Sequence, residues 1–189
     1  MSYKTDEILQ AMLNVQGPLG LARLAGEYES AMTTAAVAGL VVRPTTVSHV
    51  TIWNGENHGG KSLVIDRIFC FQLVSASAAS FYTMWYCNHL QMTKPTNDIT
   101  TLRGTGDGRE PDNSVVVVDA DATVLNNGWF PCGGSGQAEA TGVLPGGGTE
   151  WECNGRIIVR PKAGISLAVS ASSVNEDFTI GASWWRTQV

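Results

Sequence analysis

The stretch with the most chemistry written into it is Gly55-Glu-Asn-His-Gly-Gly60-Lys61-Ser62, which satisfies G-x-x-x-x-G-K-[ST], the phosphate-cradling pattern of nucleotide-binding loops. In such a loop the backbone amides hold the phosphates, the lysine meets the β and γ oxygens, the serine binds magnesium, and a helix begins at once. Val115-Val-Val-Val-Asp119 offers an apolar strand ending in a carboxylate that would order the magnesium. The residues after Ser62, however, are Leu-Val-Ile-Asp-Arg-Ile-Phe-Cys-Phe, strand formers without the three-to-four spacing of a buried helical face. The simpler reading is a hairpin loop between two strands, with nucleotide binding by Gly55–Ser62 as its rival.

Other reactive types are sparser. His49, His58 and His89 lie far apart, and none follows a nucleophile signature. Asp119 and Asp121, two apart, face the same side of a strand and could hold a cation or a sugar hydroxyl, and Asp107, Glu110 and Asp112 form an acidic loop. Trp53, Trp129 and Trp151 fall at strand ends or in loops, where an exposed indole can stack on a sugar; a carbohydrate-binding module is a second alternative, and core packing and subunit contacts are the simpler reading. Cys70, Cys87, Cys132 and Cys153 lack the paired spacing of a metal site and are expected to act as small apolar residues, with Cys132 and Cys153 the pair best placed for a disulfide. The sequence therefore assigns no catalytic, cofactor-binding or metal-ligating residue, and the chain is not expected to be an enzyme.

The elements that would position these residues change character near residue 40. Asp6 to Val15 has helix formers, with Ile8, Leu9, Met12 and Leu13 at helical spacing and an acidic start that suits the helix dipole. Gly17-Pro18 ends it, and residues 30–39 are small and read as flexible. Residues 1–39 are accordingly expected to be a helical arm, and residues 40–189 a β domain. Strands are expected at Leu40–Arg43, Val47–Trp53, Ser62–Val74, Phe81–Cys87, Val115–Val118 and Arg156–Arg160. In the central one, Leu63, Ile65, Phe69, Phe71 and Leu73 are placed in one phase. Residues 93–113 and the glycine-rich residues 133–148 read as long loops.

The last two strands carry the clearest pattern. Ile165, Leu167, Val169 and Ala171 alternate with Ser166, Ala168 and Ser170, and Phe178, Ile180, Ala182 and Trp184 share a second face. Two such strands joined by a short polar link suggest neighbours in an antiparallel sheet. Roughly eight strands without regular βα alternation indicate a sandwich or jelly roll.

Bulk composition narrows the function classes. A net charge of −5 and the lack of a basic cluster argue against nucleic-acid binding. No run of 18 apolar residues suggests a membrane span, and the start Met1-Ser-Tyr-Lys-Thr-Asp-Glu lacks the pattern of a secretory signal. Charged residues make up only 15%, which favours either a chain that hides surface in an assembly or a sandwich faced with Ser, Thr and Asn.

The segment Gly155-Arg-Ile-Ile-Val, the turn Pro161-Lys-Ala-Gly, the strand Ile165-Ser-Leu-Ala-Val and the pair Trp184-Trp185 resemble the closing strands of jelly-roll proteins of virus particles, in particular the accessory shell, cement and head-fibre proteins of tailed phages. The resemblance covers about the last 40 residues and carries no functional motif. It implies an all-β jelly-roll sandwich with a short N-terminal helical arm, acting as a virion structural protein on the capsid surface after synthesis in the host cytoplasm. The implied partner is the major capsid protein or another virion protein, and the implied assembly is a homotrimer. Ile8, Leu9, Met12 and Leu13 in the arm, with Trp184 and Trp185 at the end, are the expected assembly residues. Trp184 shares a phase with Phe178 and Ile180, so it is also expected to carry stability, whereas Trp185 is expected to carry association more than folding.

Overall fold

The computed structural model describes residues 27–75, 80–104, 109–111, 114–137 and 147–189. The expected helix, with Ile8, Leu9, Met12 and Leu13, lies outside them. Among the described residues every regular element is a strand: β1 (Tyr28–Met32), β2 (Val37–Ala38), β3 (Val50–Asn54), β4 (Ser62–Val74), β5 (Ser80–His89), β6 (Leu102–Arg103), β7 (Val116–Asp119), β8 (Phe130–Gln137), β9 (Gly148–Val159), β10 (Gly164–Ala171) and β11 (Asp177–Thr187).

They form two antiparallel sheets, β6-β1-β11-β4-β9 with β2 also on β11, and β7-β3-β10-β5-β8. The pairings nest: β1 takes β11, β3 takes β10, β4 takes β9 and β5 takes β8. Strands far apart in sequence thus pair as the arms of one long hairpin. That double strand rolls up when β11 adds β4 on its second edge and β10 adds β5. Successive strands mostly change sheets. β10 and β11 therefore lie in different sheets, where simple alternation suggested neighbours, and β3 and β4 are joined by a crossing loop where a hairpin was expected.

The inward faces make one core. Ile165, Leu167 and Val169 of β10 meet Ile65 and Ile68 of β4 and Phe178, Ile180 and Trp184 of β11, all buried. At roughly 1.5–3 kcal/mol for each large apolar side chain, this interface dominates the favourable side of folding.

In β4 the sequence phase fails at one residue. Ser183 pairs with Arg67 and Trp184 with Ile65, so Asp66 is an extra residue in the ladder. Such a bulge exchanges inside for outside. Leu63 and Ile65 face the core as expected, but beyond Asp66 it is Ile68 and Cys70 that point inward. Phe71 and Leu73 are 41% and 44% exposed on the outer face. The Asp66 carboxylate is held by the Tyr28 hydroxyl at 2.8 Å.

Three boundaries also move. Tyr28–Met32 is an internal strand between β11 and β6, so the sandwich starts inside the stretch assigned to the arm. Its small residues suit the site, because a Cβ at Gly181 would lie 2.3 Å from the Ala31 carbonyl oxygen. Around Leu40 the expected strand shrinks to one bridge with Ser170. Finally, β8 runs through Gly133 to Gln137, residues that read as loop, because glycine and serine pair well enough beside the aromatic β5.

Candidate functional site

The crossing loop 55–61 decides the nucleotide question. Ser62 begins β4 and its backbone pairs with Thr187, so no helix N-terminus follows the Gly-Gly-Lys segment. Lys61 is ion-paired with Glu27. Without the helix, the loop lacks the stacked amides and dipole that hold phosphates. Asn54 shapes the loop, donating from its amide to the carbonyls of Lys61 and Val159, each at 3.0 Å.

On the outer face of the second sheet, residues 120–129 lie over β10 and β5. Trp129, Val124, Cys87 and Ala168 form a small separate core there, and Trp129 Nε1 donates to the Thr45 carbonyl at 2.8 Å. Beneath it runs a chain of polar groups. The Asn126 amide donates to His89 Nδ1 (3.4 Å), which leaves the ring proton on Nε2, 2.8 Å from Ser166 Oγ. Ser166 then contacts Thr51 (2.7 Å), Thr51 contacts Ser48 (2.9 Å), and Ser48 donates to the Ala122 carbonyl (2.9 Å). In this direction His89 gives a hydrogen bond to Ser166, the reverse of what a general base does to a nucleophile. Both residues are buried. The arrangement satisfies polar groups under a covering segment and does not activate a serine.

His49, buried on the same sheet, accepts from the Val169 amide through Nδ1 at 3.2 Å, and burial lowers its pKa from 6.5 to about 4. The unfolded chain takes up this proton near pH 6.5 and the folded chain only near pH 4, so the stability is fully present above pH 6.5 and lost as pH falls towards 4. We expect about 3 kcal/mol of acid destabilisation from this residue. Urea melts of wild type and His49→Gln between pH 7 and pH 4 check it, with the variant showing the flatter profile.

Asp119 and Asp121 do come together, joined by Asp98 from the segment that runs along the β7 edge. One oxygen of each lies within 4.8 Å of the others, and Asp119 Oδ1 accepts the Asp121 amide at 2.8 Å. These are oxygen donors of the kind a hard divalent cation takes. Asp98 carried no signal in the sequence, since the contact needs the backbone bonds from Asp98 and Ile99 to the Val118 carbonyl.

The tryptophans that offered sugar stacking as an alternative are occupied within the fold. Trp53 and Trp129 are buried, and Trp151 stacks on Tyr86 with ring centroids 5.4 Å apart. The four cysteines are free. Burial raises the thiol pKa of Cys70, Cys132 and Cys153 to about 12, which leaves them unreactive small apolar groups. The alternative, a Cys132–Cys153 disulfide, is not formed, in keeping with the expectation of small apolar residues.

Trp184 lies inside the chain and cannot meet a partner. Its indole N–H donates to the buried carboxylate of Glu29 at 2.9 Å. Arg186 Nε is ion-paired with the other Glu29 oxygen at 2.6 Å. Burial pushes the Glu29 pKa up, opposed by the charge of Arg186 and by hydrogen bonds from Trp184 and Ser114. Trp185 is half-buried on the outer face, opposite Tyr28 and Val64. On that face Met32, Phe71 and Leu73 are exposed, as is the Arg67–Glu150 ion pair.

One further cavity, of about 710 Å³, opens where β9 and the end of β5 meet the turn 160–164, and Arg156, Ile158, Arg160, Asn88, His89 and Pro161 line part of it. The molecule is thus a two-sheet antiparallel β-sandwich with an open pocket at one end and several exposed apolar side chains on one outer face. Comparison of the chain with known protein families and with curated proteins finds no match.

Proposed function

We propose that this is a virion structural protein built on a jelly roll, which binds or stabilises a capsid shell through oligomeric contacts of its sandwich. The observation that carries the reading is the strand order. Four nested antiparallel pairs, rolled into β1-β11-β4-β9 against β3-β10-β5-β8, follow the winding of jelly rolls, an architecture used by viral capsid and lectin domains. The virion role, the placement on the capsid surface and the major capsid protein as partner rest on this topology, on the resemblance of the closing strands and on the low charge of the chain. The proposed homo-oligomer is a trimer.

The outer face of the first sheet supports an assembly role. Met32 is 52% exposed there, on the same face as Phe71 and Leu73, and exposed apolar side chains commonly mark contact surfaces. Three such side chains, buried against a neighbour, would anchor an interface of ordinary size, roughly 800 Å² per partner. In a Phe71→Ser, Leu73→Ser variant the native mass is expected to fall to that of one chain, with a melting temperature close to wild type because both side chains point away from the core. An unchanged oligomer in this variant would remove the face from the account.

A further inference from the structure

We propose that the cavity bounded by Arg156, Arg160 and the end of β5 binds an acidic saccharide, a sugar bearing a carboxylate. The inference is independent of the assembly reading. In a chain of net charge −5, the described residues lining this cavity include two arginines and neither Asp nor Glu, although Val189, the last residue of the sequence, also lines it. Both arginines are exposed, and neither forms an ion pair among the described residues. A guanidinium presents a planar fork that fits a carboxylate through two parallel hydrogen bonds.

The rest of the lining suits a sugar ring. Ile158 lies between the arginines on the same side of β9 and is 41% exposed, and Pro161 adds a second apolar surface for the C–H face of a ring. Asn88 and Ser62 supply an amide and a hydroxyl for ring hydroxyls. At about 710 Å³ the cavity exceeds the needs of a simple anion and falls within the range of sites that enclose small organic ligands. No Phe, Tyr or Trp is among the described lining residues, and the His89 imidazole is buried and bonded to Ser166, so no exposed ring there stacks a nucleobase.

An acidic peptide is disfavoured by the strand that carries the arginines. β9 is an edge, and a peptide would extend the sheet along it. Between Glu152 and Ile157, however, the pairing with β4 skips four residues of β9 against one of β4, and Asn154 and Gly155 have φ of 48° and 74°. This bulge breaks the row of backbone groups that an added strand needs.

Equilibrium dialysis of the intact protein against trigalacturonate, its uncharged methyl ester and triglutamate tests the proposal. The acid sugar is expected to bind, with the ester and the peptide each weaker by about tenfold or more. In an Arg156→Gln, Arg160→Gln variant, affinity for trigalacturonate should drop by about tenfold or more at an unchanged melting temperature. No binding of trigalacturonate at millimolar concentration, or equal binding by the variant, would overturn the proposal. Equal or tighter binding of triglutamate would overturn it as well, in favour of a site for acidic peptides.

Discussion

Replacing Trp184 with alanine is expected to lower the unfolding free energy by about 3–5 kcal/mol, the range for losing a large buried aromatic side chain. Trp184 is fully buried against both sheets, so its removal leaves a cavity that the rigid sandwich cannot close. It also strips a hydrogen bond from the buried Glu29 carboxylate. Set against a typical total stability of roughly 5–15 kcal/mol, the variant would be partly unfolded under mild conditions. Urea denaturation measures the loss. Trp184→Phe separates its two parts, because it keeps most of the volume and removes only the N–H.

Arg186→Met is expected to cost about as much, roughly 3–5 kcal/mol, because it leaves the Glu29 carboxylate buried without its nearest cation. The pH dependence distinguishes this cause from lost packing. Burial already raises the Glu29 pKa above 4.5, and Arg186 is the largest influence holding it down. Without the arginine the folded-state value rises further. Stability gained from the protonated carboxyl is fully present below pH 4.5 and lost as pH rises through the folded value, so the deficit of the variant should shrink as pH is lowered. A deficit equal at pH 7 and pH 5 would assign the loss to packing. The double variant Glu29→Leu, Arg186→Met should lose less than the two single changes together, since no charge is then stranded.

These expectations show which parts of the molecule the sequence displays. The alternation in β10 and β11 is legible because each strand buries one face: Ile165, Leu167 and Val169, and Phe178, Ile180 and Trp184, reach the core as their spacing indicates. In β4 the same reasoning succeeds to Ile65 and fails beyond it. A single extra residue at Asp66 leaves no mark in composition, yet it turns Phe71 and Leu73 outward. β1 was missed because Glu29 to Met32 has no strand pattern of its own; its place is set by β11 across from it and by the room Gly181 provides. Local spacing also says nothing of which strand crosses to which sheet, so β10 and β11 looked like neighbours.

The candidate sites follow the same division. The lysine-bearing loop was legible as a connection, and its lack of a following helix could be read from the strand formers after Ser62. The Asp98, Asp119 and Asp121 cluster, the Glu29–Trp184–Arg186 contact and the cavity beside Arg156 and Arg160 join residues from distant strands. Only the nested pairing brings them together. Core packing, the simpler reading of the tryptophans, holds for Trp53 and Trp129, though position at a strand end does not reveal that residues 120–129 fold back over Trp129.

Native mass by light scattering, measured over a dilution series for the intact chain and for residues 27–189, tests the assembly reading most directly. The shorter form retains β1, which a cut at the expected arm boundary would have removed. The expected result is a body of three times the 20.1 kDa chain that dissociates more readily once residues 1–26 are gone. A single-chain mass for both forms at every concentration would contradict it.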